Sequence, residues 1–220
     1  MTRYVISGPP VILDNLLLAH MKVLLELCPN LCLVLDEHIN DGRMRGPFIQ
    51  LNLRRPSNPA LISSRIGRLT YSAYAPRGVT DPAGWIGNSA TVRQSVSNSF
   101  AEKTFCGPPT LMVGSMPFKI TAMKTMGLAA ILPDITGTLD RDLVRLDALS
   151  EGISAPIWLS YKADALERPE TEHVLDWIKS CVLEANWLNV PTACPHFETA
   201  LSGSRAVRYM AGHDEQYPHP

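Results

Sequence analysis

The sequence predicts an α/β fold, and two observations carry that prediction. The first is the stretch from residue 3 to 35, where a short β-rich run, a helical run and a second apolar run follow one another. The second is the same alternation near residues 111–132. A strand–helix–strand unit implies parallel strands joined by a right-handed crossover.

The elements follow in order. Residues 3–7 (RYVIS) read as a strand, stopped by Gly8-Pro9-Pro10. Residues 11–27 carry Leu13, Leu16, Leu17, Val23, Leu24 and Leu27 at helical spacing, with His20 interrupting the apolar face as a core or rim histidine. Cys28-Pro29-Asn30 ends that helix, and residues 31–35 form a buried strand. Asp41-Gly42-Arg43 is a turn, residues 48–53 alternate as a strand does, and residues 56–59 form a loop. Residues 69–75 (LTYSAYA) are the next strand, broken by Pro76-Arg77-Gly78. Residues 78–90 read as loop with one short strand around Trp85-Ile86, and 91–105 are helix-compatible. Residues 111–113 are a strand. Residues 117–126 suit a helix with proline in its first turn, and Gly127 stands where a C-terminal cap belongs. Residues 128–132 are a strand, Pro133-Asp134 opens a short helix, residues 143–146 are extended, and 156–161 (PIWLSY) are a strand. Residues 170–187 form an amphipathic helix.

Composition narrows the function classes. The 220 residues hold 20 Lys+Arg against 21 Asp+Glu, a net charge of −1, which argues against a surface that coats nucleic acid. A hydrophobic content of 45% with 19% charged residues argues for a packed core over disorder. No apolar run approaches a bilayer span, and the N-terminus has no signal-peptide pattern, so the expected compartment is the cytoplasm. The five cysteines are scattered without a CxxC, as in a reducing compartment. Cys194 and His196 offer two metal ligands of the four a zinc site needs, so no metal site is expected. The chain has no P-loop, no G-x-G-x-x-G, no HExxH and no G-x-S-x-G, so neither a cofactor nor catalysis is expected. Asp36-Glu37 is a surface acidic pair or a cation site.

Taken together, the segments resemble the effector-binding region of LysR-type transcriptional regulators. The matching features are Val5-Ile6-Ser7-Gly8 with the helix after it, Pro29-Asn30-Leu31 and the corner Tyr74-Ala75-Pro76. Further along come Met126-Gly127-Leu128 leading to Leu132-Pro133, the strand 157–162, and Arg168-Pro169 leading to Ile178. The resemblance spans residues 3–185. It implies two Rossmann-like lobes joined by two crossover strands, a type 2 periplasmic-binding-protein-like fold. It further implies a small-molecule cleft between the lobes and an antiparallel dimer or tetramer in which the helix 11–27 of one chain meets the helix 117–126 of another. The expected effector domain is 1–188, with lobe I about 1–68 plus 163–188 and lobe II about 69–162; residues 189–220 are expected to be a loosely ordered tail. Two features depart from the family pattern. No winged helix-turn-helix precedes Arg3, so DNA would be reached only through a domain this chain lacks. Asn40–Gly46 is too short for the family's second lobe I helix.

The expected ligand residues sit at strand ends, because ligands of open α/β sheets bind outside the carboxyl ends of strands. Ser7, Gly8 and Pro9 either hold a ligand or make a plain turn, with Pro9 and Pro10 subtracting amide donors. Gly114, Ser115 and Met116 repeat the arrangement in lobe II, where Ser115 also suits an N-cap. Arg54 after the third strand either clamps a carboxylate or is solvated. Thr70 and Ser72 lie where a crossover begins, with one hydroxyl toward the cleft, and Lys119 and Lys124 are expected to face solvent. The implied function is sensing of a small effector, a carboxylate by this reading. The alternatives are a stand-alone solute-binding protein and a dimerisation domain that has lost its effector.

Overall fold

The computed structural model describes residues 2–37, 48–89, 96–149 and 153–188. The Asn40–Gly46 stretch, the tail, Cys194 and His196 lie outside the described residues. The described elements belong to one unit, Met1–Asn189.

Strand β1 (Thr2–Ser7) leads into a helical run that changes pitch three times. Helix α1 (Pro10–Ile12) passes into a π-turn at Leu13–Leu17, a 3-10 turn at Leu18–His20 and helix α2 (Met21–Leu27). Pro10 takes the first helical position, where its missing N–H costs nothing. Leu13, Leu16, Leu17 and Leu24 bury one stripe, while Leu18, Val23, Leu25 and Leu27 remain exposed. The run returns the chain to β2 (Leu31–Asp36), parallel to β1.

Strand β3 (Phe48–Asn52) lies parallel to β1 on its other side. Strand β4 (Leu61–Pro76) is longer than the 69–75 expected from sequence. Its first half, ISSRIGR, is polar on both faces and has no β alternation. Pairing along β9 (Ile153–Lys162) makes it a strand, with a register shift between Arg65 and Gly67. After β4 come β5 (Trp85–Asn88), α3 (Val96–Thr104), β6 (Leu111–Val113), α4 (Met116–Met126) and β7 (Ala129–Pro133). Gly127 ends α4 at φ 67°, a left-handed conformation that glycine adopts without a Cβ penalty. Helix α5 (Asp134–Leu139), β8 (Leu143–Arg145) and α6 (Glu170–Leu188) complete the order.

The nine strands form one sheet in the order β2-β1-β3-β9-β4-β7-β5-β6, with β8 on β4. The crossover strands β4 and β9 run antiparallel through its centre. Tyr71 and Tyr74 of β4 pair with β7 on one edge, while β9 and then β8 occupy the other. On one sheet face a core runs through both lobes. It joins Tyr4, Ile6, Leu13, Leu16, Leu17, Leu24, Ile49, Leu51, Val174, Trp177 and Ile178 to Leu69, Tyr71, Ala73, Trp85, Ala101, Ala129 and Ile131. The opposite face carries a smaller core cluster in lobe II, around Tyr74, Ile86, Met123, Leu128, Ala130 and Leu132, while Val5 and Phe48 are buried on its lobe I side. Helices α1, α2, α3 and α6 therefore cover the first face and α4 the second.

Candidate ligand-binding site

Among the described residues, four buried side-chain polar atoms have no hydrogen-bond partner: Ser7 Oγ, Asn52 Nδ2, Thr70 Oγ1 and Ser72 Oγ. Such an atom costs about 1–3 kcal/mol relative to a paired one, so four together call for a reason. The strand register supplies their common location. Residues opposite one another on paired strands share a face, and residues two apart along a strand do too. Ser7 pairs with Gln50, Gln50 with Ser160 and Ser160 with Ser63, which makes one transverse polar row. Ser63 Oγ lies 3.0 Å from Ser160 Oγ. Asn52 is two residues beyond Gln50, in a second row with Trp158 and Arg65. Past the register shift, Arg68 pairs with Pro156 and Thr70 with Ser154, and Ser72 follows on the same face. Their neighbours Leu69, Tyr71 and Ala73 point into the large core, as do Ile49, Leu51, Ile157 and Leu159. All four unpartnered atoms therefore lie on the face opposite that core, from the end of β1 to the middle of β4.

That face is rich in donors. Strands β3, β4 and β9 contain no aspartate or glutamate, while Arg65 and Arg68 stand exposed along β4. Arg54 and Arg55 follow β3, both exposed, and the Arg55 guanidinium lies 5.5 Å from the centre of the Trp158 ring. Asp36, opposite Ser7 at the end of β2, places a carboxylate at the edge of this face; along β3, β4 and β9, away from it, hydroxyls, an amide N–H and guanidinium groups suit an anionic group.

Besides Arg54, the predicted site residues fall into three groups. Ser7, Thr70 and Ser72 are among the four unpartnered atoms. Gly8 and Pro9 leave no backbone donor at the end of β1: the Gly8 N–H donates to Asp36 O at 3.1 Å, and Pro9 has none. Gly8 is packed closely, since a Cβ there would lie 3.0 Å from Leu51 Cβ. Ser115 caps α4, accepting a 3.4 Å bond from the Phe118 N–H, and stands exposed with Gly114 beside a half-buried Met116. Helix α4 packs on the same sheet face as the unpartnered hydroxyls, so this group lies on the lobe II side of that face. No hydrogen bond among those found joins it to Ser7 or Ser72.

Lys119 corrects an expectation. Rather than facing solvent, it is 2% exposed, and its ammonium donates to Asn88 Oδ1. Burial pushes its pKa down to about 8. It lies one turn before Met123, on the stripe of α4 that meets the sheet. Lys124 is the exposed lysine, held by Asp140 at 2.8 Å and Asp142 at 2.9 Å. Asn88 is itself fixed at the start of α3. Its N–H donates to Asn98 Oδ1, its carbonyl accepts from Asn98 Nδ2, and its Nδ2 donates to Ser97 Oγ.

A direct link joins the lobes. Asn15, on the π-turn, donates from Nδ2 to Thr136 Oγ1 of α5 at 2.8 Å. The start of α5 is anchored by the Tyr74 hydroxyl, which donates to Asp134 Oδ1 at 3.1 Å. Sequence reasoning missed Asn52, Asn88 and Lys119. The only signal for Lys119 was its four-residue spacing from Met123.

No family model matches the chain, and no curated protein matches it in sequence. Solved structures do match in fold. The regulatory domain of CrgA, a LysR-type transcriptional regulator from Neisseria meningitidis, aligns with a TM-score of 0.65 at 12% identity, over 84% of this chain and 98% of that one. The chain has the fold of a LysR-type regulatory domain. The regulatory domain of MexT, a transcriptional activator in Pseudomonas aeruginosa, aligns with a TM-score of 0.65 at 12% identity, covering 81% of this chain and 99% of that one. The effector-binding domain of a BenM variant aligns with a TM-score of 0.59 at 15% identity, over 84% and 97%. The two-lobed, periplasmic-binding-protein-like architecture expected from the sequence is therefore the one present. No described helix is long and apolar enough to cross a membrane.

Proposed function

We propose that this chain is the effector-sensing domain of a LysR-type transcriptional regulator, and that it binds a small organic acid on the sheet face between its lobes. The observation that carries the reading is the set of unpartnered atoms at Ser7, Asn52, Thr70 and Ser72, on one face whose central strands β3, β4 and β9 hold arginines and no carboxylate, with Asp36 of β2 at its edge opposite Ser7. A ligand carboxylate would satisfy these donors and be charge-matched by Arg54, Arg65 or Arg68. Gly114, Ser115 and Met116 form the lobe II rim, and Gly8 and Pro9 shape the turn that presents Ser7. The domain acts in the cytoplasm as a sensor, and it influences DNA through a helix-turn-helix domain.

The fold comparison supports the reading, since one similar structure is itself described as an effector-binding domain. Self-association belongs to it as well. Leu18, Leu25 and Leu27 on the first helical run and Phe118 and Met126 on α4 are exposed apolar groups, suited to an antiparallel homodimer that also builds tetramers. A dimerisation domain without effector would share those groups but has no use for the unpartnered atoms. A thermal-shift screen with small carboxylates, aromatic acids, amino acids and sugar phosphates tests the reading. Ligand that binds the native state raises the midpoint in proportion to RT ln(1 + [L]/Kd). A dose-dependent rise with one class of acid is expected. A cooperative melt that no acid moves would leave the dimerisation reading in its place.

A further inference from the structure

The end of β5 holds a buried cation with no counter-charge among the described residues. The Lys119 ammonium has three N–H donors, and among the described residues its side chain has one acceptor, Asn88 Oδ1. The elements packed around it offer no carboxylate to pair with it. Strands β5, β6 and β7 and the lobe II half of β4 contain no Asp or Glu. On α5, Asp134 receives the Tyr74 hydroxyl, and beyond it Asp140 and Asp142 hold Lys124 at the far end of α4. Helix α3 contributes only Glu102, which is exposed.

The local field adds to the imbalance. Two helices begin here, the nine-residue α3 and the eleven-residue α4, and each directs the positive end of its dipole toward the same strand ends. Asn88 ties the two starts together through Ser97, Asn98 and Lys119. A lone buried ammonium beside two helix N-termini is strongly unfavourable unless an anion joins it. The rim beside this corner is open at Gly114. Gly114 is exposed, and a Cβ on it would meet only Ser89 Oγ, at 3.6 Å. Register places this corner on the ligand face as well. Ala130 pairs with Ile86, so Asn88 stands level with Leu132, and Leu132 pairs with Ser72, one of the unpartnered hydroxyls.

We propose that lobe II contains an oxyanion subsite at the C-terminal ends of β5 and β6, in which the Lys119 ammonium is the counter-charge for a carboxylate or phosphate group. The assignment of that group to an effector rests on the function proposed above; the subsite itself does not. Burial would make it selective for a fully desolvated anion, and Asn88 would hold the ammonium in place while leaving its other donors to the ligand.

The test follows the Lys119 Cε methylene by NMR in the whole chain, labelled with ¹³C-lysine and assigned by comparison with Lys119→Gln. It uses inorganic phosphate in one series and acetate or succinate in another. In anion-free buffer the Lys119 signal titrates below the other lysines. A bound oxyanion is expected to raise its midpoint by about one pH unit, a tenfold gain in proton affinity. Lys119→Met is expected to lose at least about tenfold in affinity for the same anion. The series that moves the signal identifies the source as phosphate or carboxylate. If neither anion moves it at millimolar concentration in the wild-type chain, the subsite is refuted, whether or not the variants fold. If an organic acid stabilises wild type and Lys119→Met equally, the Lys119 proposal falls and the Ser7–Ser72 reading stands. If phosphate moves the signal while no organic acid stabilises the chain, the subsite stands and the effector reading falls.

Discussion

Replacing Lys119 by methionine should make the ligand-free protein more stable at neutral pH. An ordinary lysine has a value of 10.5, and burial lowers that of Lys119 to about 8. The difference of about 2.5 units, at about 1.4 kcal/mol each, makes the buried charge cost on the order of 3 kcal/mol. Below pH 8 both folded and unfolded chains carry the proton, and the cost is fully present. Between pH 8 and 10.5 the unfolded chain binds more protons than the folded one, so stability rises with pH and the cost disappears. Methionine has a similar length and no charge. It removes the cost, but it leaves Asn88 Oδ1 without this donor, a loss of about 1–2 kcal/mol. The expected net gain is therefore about 1–2 kcal/mol at pH 7, falling through zero near pH 10, where wild type becomes the more stable chain. Urea unfolding of both proteins at pH 7 and pH 10, in buffer free of carboxylate and phosphate, measures it directly. Groups such as Tyr71 and Cys181, both held near 12 by burial, cancel in the difference between the chains. A variant less stable than wild type by the same amount at both pH values would refute the uncompensated charge.

Three further predictions rest on separate contacts. Ser7→Ala and Ser72→Ala each remove a buried hydroxyl without a partner, so each should leave the ligand-free chain as stable as wild type or more stable by up to about 1 kcal/mol. The same substitutions should weaken acid binding about tenfold in a titration calorimeter, and a loss of more than about 1 kcal/mol in stability would instead mark a structural role. Gly137→Ala would set a Cβ 2.3 Å from the Tyr74 ring, which is 1% exposed, and should destabilise by about 1–3 kcal/mol in a thermal melt; an unchanged midpoint would contradict the packing of α5 on β4. Asn15→Ala and Thr136→Ala, alone and combined, should show a coupling energy of about 0.5–1.5 kcal/mol across the lobes, and additive effects would remove the 2.8 Å bond from the inter-lobe contact.

Much of the fold was legible because its signals are local. Periodicity marked α6, proline and glycine marked both ends of α4, and apolar runs marked β2 and β7, each within one window of sequence. The first half of β4 was not legible, because Ser63, Ser64, Arg65 and Arg68 become strand only through pairing with β9, nearly a hundred residues away in sequence. The site divides in the same way. Ser7, Thr70 and Ser72, whose hydroxyls lack a partner, were already candidates in the sequence because strand ends and crossovers are where such folds bind ligands. Asn52 escaped because nothing local shows that its amide would lack a partner. Lys119 escaped because a lysine on a helix ordinarily reaches water. Its burial depends on Asn88, Ser97 and Asn98, which β5 and α3 bring to the corner that α4 enters.

The distribution of core around the sheet bears on how a ligand would be read out. One face has apolar packing continuous across both lobes, from Tyr4 and Leu16 to Trp85 and Ala129. The other has its larger apolar cluster in lobe II, and its lobe I part carries the polar rows of Ser7 and Asn52 beside buried Val5 and Phe48. Relative movement of the lobes therefore disturbs densely packed side chains on the first face and mainly polar groups on the second. On the function proposed above, the first face would act as the fulcrum, and an acid bound on the second would favour whichever lobe angle lets Ser7, Ser72 and the α4 corner reach it together. A ligand shifts such an equilibrium only by the difference in its affinity for the two arrangements. Contacts confined to lobe I would give affinity without response, whereas contacts shared between Ser7 on β1 and Lys119 on α4 would give both. The Asn15–Thr136 bond would oppose or assist that shift by about 1 kcal/mol, about a factor of five in the balance of the two arrangements.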